Sequence, residues 1–111
     1  MNLINNYIEP QGTQFLSDTL QVNSTLSTLY LGGNSIGDQG ANYLAQALRV
    51  NTTLTYLNLY NIKISNEGLK NLSDALKMNS TLTFLYLAGN TSILYEGAKY
   101  LSEALQINSA L

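Results

Sequence analysis

Few residues of this chain could carry chemistry. It has no cysteine and no histidine, which excludes disulfides, thiolate nucleophiles, His-ligated zinc and an imidazole base. The single arginine is Arg49, and the acids and lysines assemble into no nucleophile–base pair or carboxylate cluster. The sequence therefore predicts no enzyme, no cofactor and no metal site. What remains is aromatic: Tyr30, Tyr56, Tyr60, Phe84 and Tyr86, with Asn58 among them. Aromatic side chains on an open, uncharged surface are the usual material of a binding hot spot. The chemistry they offer is recognition of a protein or peptide.

These six residues need a scaffold that brings them to one face. In the stretch around Tyr56, Leu57 and Leu59 alternate with Tyr56, Asn58 and Tyr60, and period two over a short run predicts a strand with one buried face. Further on, Leu69, Leu72 and Leu76 follow the spacing of one helical stripe. The combination recurs: residues 51–78 superimpose on 23–50 after a shift of 28, and on 79–107 with one residue inserted. Residues 1–22 read as the second part of a further unit and 108–111 as the start of another. A unit this small cannot bury its own leucines, so it stacks on its neighbours. Strands are expected at 28–32, 56–60 and 84–88, and helices at about 10–21, 38–49, 66–77 and 95–106.

In the first full unit the positions read Leu26, Leu29, Leu31, Asn34, Ile36, Gly40, Leu44 and Leu48. In the third they read Leu82, Leu85, Leu87, Asn90, Ile93, Gly97, Leu101 and Leu105. The middle unit keeps Leu54, Leu57, Leu59, Ile64, Gly68, Leu72 and Leu76 but has Ile62 at the asparagine position. This pattern resembles the leucine-rich repeat family, and within it the ribonuclease-inhibitor-like subtype found in the repeat regions of NOD-like receptors. The resemblance implies an α/β solenoid, a segment of a horseshoe forming one domain, with parallel strands on the concave face and helices on the convex face. It implies a module for protein–protein contact without naming the partner. Some members of the subtype are GTPase-activating proteins, for which an offered arginine is one route. Arg49 falls at the end of a helix on the convex side, which makes that role the weaker alternative.

Composition narrows the class further. Apolar residues make up 45% of the chain and are periodic, so it folds. Net charge is −2 with 11% charged residues, too little positive charge for a nucleic-acid partner. No basic stretch leads into a long apolar run, so neither a signal peptide nor a membrane span is expected, and the expected setting is intracellular, the cytoplasm.

Several polar positions also recur. Asn23, Asn51, Asn79 and Asn108 each follow a helix, where an asparagine in the left-handed conformation would end it. The first three also match the glycosylation sequon, a coincidence of the helix-ending role. Asp38 and Asn66 stand where each would cap its own helix. Gly12, Gly40, Gly68 and Gly97 sit in the first turns, where glycine costs about 1 kcal/mol, so close approach of a neighbour is expected. Phe15, Tyr43 and Tyr100 share a helical column expected to cover seams between helices. Leu101 and Leu105 are expected to lack full cover beside the free edge of the last strand. This favours self-association through a terminus, most simply as a two-fold dimer.

Overall fold

The computed structural model describes Met1–Leu111. Each leucine stripe becomes a helix and each apolar alternation a short strand. Their order is α1 (Glu9–Leu20), β1 (Thr28–Tyr30), α2 (Gly37–Leu48), β2 (Tyr56–Asn58), α3 (Asn66–Leu76), β3 (Phe84–Tyr86) and α4 (Tyr95–Ile107). The strands form a parallel sheet in the order β1-β2-β3, with Leu29 opposite Leu57 and Leu57 opposite Leu85. Asn2 pairs in parallel with Tyr30, so the first partial unit does open in strand conformation. The strands are three residues long rather than five. Parallel bonding nevertheless continues past them, from the Leu31 N–H to the Asn58 carbonyl at 2.9 Å and from the Leu59 N–H to the Tyr86 carbonyl at 2.8 Å.

All four helices lie on the other side of the sheet, each packed on the next. Between the layers, Leu29, Leu57, Leu31, Leu59, Ile36 and Ile64 are at most 1% exposed, and Leu44, Leu72, Leu48 and Leu76 at most 2%. The molecule is an α/β solenoid, strands lining the concave face and helices the convex one.

Two asparagine ladders tie the layers together, and both run between repeats. Asn34 donates to the carbonyls of Leu3 and Leu31 while its Oδ1 accepts from the N–H groups of Asn6 and Ile8. Asn90 does the same two repeats along, donating to Leu59 and Leu87 and accepting from Ile62 and Ile64. Ile62 supplies no such group, and the rung is missing where the sequence breaks the pattern. The second ladder corrects an expectation. Asn51, Asn79 and Asn108 are not left-handed helix ends; none has a positive φ. Each instead donates to a carbonyl at the end of the helix one repeat earlier, those of Leu20, Leu48 and Leu76 at 2.8 Å. Each also accepts from backbone N–H groups two and three residues ahead. Asn51 and Asn79 are 5% exposed, so their amides are committed to the fold.

The helix caps need a second correction. Asp38 lies inside the first turn of α2, and its carboxylate serves the next repeat. It accepts from the Ser65 N–H at 2.8 Å, the Ser65 hydroxyl at 2.6 Å and the Gly68 N–H at 3.0 Å. Asn66 likewise accepts from the N–H groups of Leu94 and Gly97. The cap of α3 itself is Ser65, accepting from the Glu67 N–H. Glycine is needed in this turn because the neighbour's oxygen occupies the space of a side chain. A Cβ on Gly68 would overlap the Asp38 Oδ1, and one on Gly97 would stand 2.7 Å from the Asn66 Oδ1. Gly68→Ala is accordingly expected to destabilise the chain. Overpacking of about 1–3 kcal/mol outweighs the roughly 1 kcal/mol that alanine gains in an unconstrained helix. A urea midpoint raised by the substitution would contradict the cross-repeat cap.

Candidate functional site

The parallel register sorts the concave side chains into rows. Thr28, Tyr56 and Phe84 share one row, and Tyr30, Asn58 and Tyr86 the next. Tyr60 follows on the chain beyond β2. Every sequence-predicted site residue therefore reaches the same face, because the strand pleat sends alternate side chains to the same side. Tyr30, Tyr56 and Asn58 are half-buried, while Tyr60, Phe84 and Tyr86 are between 42 and 46% exposed. No charged side chain stands in either row.

The rings interact along the solenoid axis. Tyr56 and Phe84 stack face to face, 4.4 Å between centroids and 3° between planes. Tyr30 tilts against Tyr56 at 5.1 Å. Tyr60 leans over β3 to lie 6.3 Å from Tyr86 at 20°. It can do so because position 89 has no side chain: a Cβ on Gly89 would come within 2.9 Å of the Tyr60 ring. Two aromatic pairs result, Tyr56 with Phe84 and Tyr60 with Tyr86, and Asn58 falls between Tyr56 and Tyr60 along the chain. The Asn58 Oδ1 accepts from the Tyr60 N–H at 2.9 Å, which fixes the carboxamide. Ring pairs in such geometry contribute about 0.5–1.5 kcal/mol beyond burial, so the face is partly organised before anything meets it.

The Tyr56 hydroxyl is held above the ordinary tyrosine value. Desolvation is the main cause and the neighbouring Tyr30 hydroxyl the next, against an opposing pull from Asn58. Raising the folded value means that the folded state holds its proton longer than the unfolded chain. The linked stability is complete below about pH 10 and is lost as pH rises through the folded value. The difference between absorbance titrations of the wild type and Tyr56→Phe is expected to show a midpoint above that of free tyrosine; one below it would contradict the geometry.

Elsewhere, Arg49 forms the C-terminal cap of α2, on the helical side and away from both rows. The helical aromatic column is uneven. Tyr43 and Tyr100 are half-buried, the latter with the Lys70 ammonium 5.8 Å from its ring centroid. Phe15 is 73% exposed and covers no seam, because the column faces the preceding helix, as Tyr100 faces Lys70 of α3, and α1 packs only on α2. The end of the stack beside β3 has shallow apolar depressions lined by Leu69, Leu87, Ile93, Leu101 and Leu105. The opposite end has another, bordered by Met1, Leu16, Leu20, Leu26 and Leu29. No helix is long and apolar enough to cross a membrane.

Comparison with known proteins agrees with the repeat register. The sequence profile described as Leucine Rich repeat matches residues 22–45, 50–73 and 79–102. The chain belongs to the leucine-rich repeat family. A search among curated proteins gives no match. Among solved structures, one described as Leiomodin-1 Actin-Binding Site 2 aligns over 100% of this leucine-rich repeat chain with a TM-score of 0.94 at 26% identity. The alignment covers 65% of that leiomodin-1 chain. The tropomodulin C-terminal domain of Caenorhabditis elegans aligns over 97% of this chain and 82% of its own, at a TM-score of 0.63 and 16% identity. The second likeness concerns the fold alone.

Proposed function

We propose that this leucine-rich repeat chain binds a protein or peptide through its concave face, with Tyr30, Tyr56, Asn58, Tyr60, Phe84 and Tyr86 as the contact residues and no reaction of its own. The observation that carries this is the uncharged double row of partly exposed rings held in fixed register. Exposed apolar surface of this kind is costly to leave in water and is typical of interaction sites. An intracellular setting is part of the proposal. Actin is the first folded protein to offer, since the leiomodin-1 region of like fold is described as an actin-binding site. With any partner in hand, Tyr56→Ala, Phe84→Ala and Tyr86→Ala are each expected to weaken binding by about 1–3 kcal/mol. Tyr100→Ala, on α4, should leave it unchanged. Calorimetric titration that returned the opposite order would move the site to the helices.

A second reading is favoured by the ends of the stack. Beside β3, which is paired on one side only, Leu101 remains half-buried and Leu105 is 44% exposed. Covering such a face with a second copy would give self-association, most simply as a two-fold dimer. Sedimentation equilibrium that remained monomeric up to near-millimolar chain would rule it out.

A further inference from the structure

We propose that the segment recognised by the concave face is proline-rich and in the polyproline II conformation, laid across the strands along the solenoid axis. This rests on the concave face being the binding surface.

Four features point to that occupant. The first is charge. Neither row contains an acid or a base, so the face offers no counter-charge to a charged segment and suits a neutral one. The second is the attitude of the rings. Because Tyr56 and Phe84 cover each other's facing sides, they present edges outward and form a rib. Tyr60 and Tyr86 lean together on the other side, and the smaller Asn58 leaves a gap between Tyr30 and Tyr86 in its row. The gap beside Asn58, bordered by ring edges, suits a pyrrolidine ring.

The third feature is spacing. A polyproline II helix repeats every three residues at 3.1 Å each, roughly 9.3 Å per turn. Tyr30 and Tyr86 share a register row and stand two strands apart, about 9.6 Å at the usual strand separation. Equivalent residues on successive turns would therefore meet one tyrosine each. The fourth is polarity. Polyproline II leaves its own carbonyls without internal partners, and Tyr30, Tyr56 and Asn58 bring neutral hydrogen-bonding side chains to neighbouring positions of the two rows. An added β-strand would dock elsewhere, on the free edge of β3. An extended segment that is already ordered also loses little entropy on binding, which matters for a surface only three strands wide.

The chain has eight tyrosines and no tryptophan, and four of them, Tyr30, Tyr56, Tyr60 and Tyr86, lie on this face, so tyrosine fluorescence responds to its occupation while octaproline is silent. Titration with octaproline is expected to give a saturable change that a Gly-Ser octapeptide does not give. Phe84→Ala and Tyr86→Ala, checked for fold by circular dichroism, should each weaken it about tenfold or more, and Tyr100→Ala should not. No saturable response at millimolar octaproline, or a response retained in both concave variants, overturns the proposal. Random-peptide display on the same chain separates the two levels. Proline-free binders lost in Tyr86→Ala would overturn the polyproline proposal and leave the concave face as the site. An absence of any binder sensitive to Tyr86→Ala, together with a silent octaproline titration, would overturn both.

Discussion

Leu59→Ala is expected to lower the stability of the chain by about 2–5 kcal/mol. Leu59 is fully buried in the main hydrophobic cluster, in the one full repeat that has a full repeat on either side. The cavity left by its side chain cannot be filled by collapse, because the parallel bonds from the Leu59 N–H to Tyr86 and from the Asn61 N–H to Ala88 hold the backbone in place. Leu3 occupies the equivalent position in the partial first unit, where it is only partly buried. Leu3→Ala should cost much less, because the terminal strand can fray away from Tyr30 without disturbing the rest. Urea denaturation of the two variants decides the matter: equal losses in midpoint would contradict a core built by stacking, in which central units are covered on both sides and outer ones are not.

The second large effect is expected at Asn90. Asn90→Ala removes the acceptor of the Ile62 and Ile64 N–H groups and the donor to the Leu59 and Leu87 carbonyls. Ile62 and Ile64 are inaccessible to solvent, so water cannot replace the lost acceptor. Each buried group left unpaired costs about 1–3 kcal/mol, which for the two amides makes a loss on the order of 2–6 kcal/mol. Asn90→Asp keeps the acceptor but sets a buried carboxylate against the Leu59 and Leu87 carbonyls, and should also destabilise the chain. Hydrogen exchange gives a sharper view, since the Ile62 and Ile64 amides should lose protection beyond the global change. If Asn90→Ala cost no more than Gln46→Ala, a substitution at an exposed position of α2, the ladder would have no energetic role.

The sheet register is legible in the sequence because the leucines repeat at a fixed interval and a pleat has only two sides. That reasoning places Tyr56 beside Phe84 and puts all six concave residues on one face. It does not show that Tyr60 leans across to Tyr86, which depends on the bare backbone at Gly89. The polar positions are visible only as recurrences. Asn51 donates to a carbonyl 31 residues earlier, and Asp38 accepts from an amide 30 residues later. Local capping rules consider partners within a turn or two, so they find each residue and assign it the wrong helix. Phe15 illustrates the same limit from the other side: its column is shared with Tyr43 and Tyr100, but cover depends on whether a helix precedes it in the stack.

The cross-repeat caps also bear on how such a chain can change length. Asp38 holds the start of α3 and Asn66 the start of α4, each by bonding the amide of the next repeat's glycine. Excising residues 51–78 would set Asp38 opposite Gly97, where a carboxylate can accept the same bond now given to Asn66. It would also bring Asn90 opposite the loop after β1, the place where Ile62 now leaves the asparagine ladder without a rung. Because the units carrying Asp38 and Asn66 each hold the cap for the next one, the junction made by such a loss keeps this bond. Whole-repeat duplication or deletion thus leaves the cap bonds with partners at the new junction, even as it changes how much core the stack can bury.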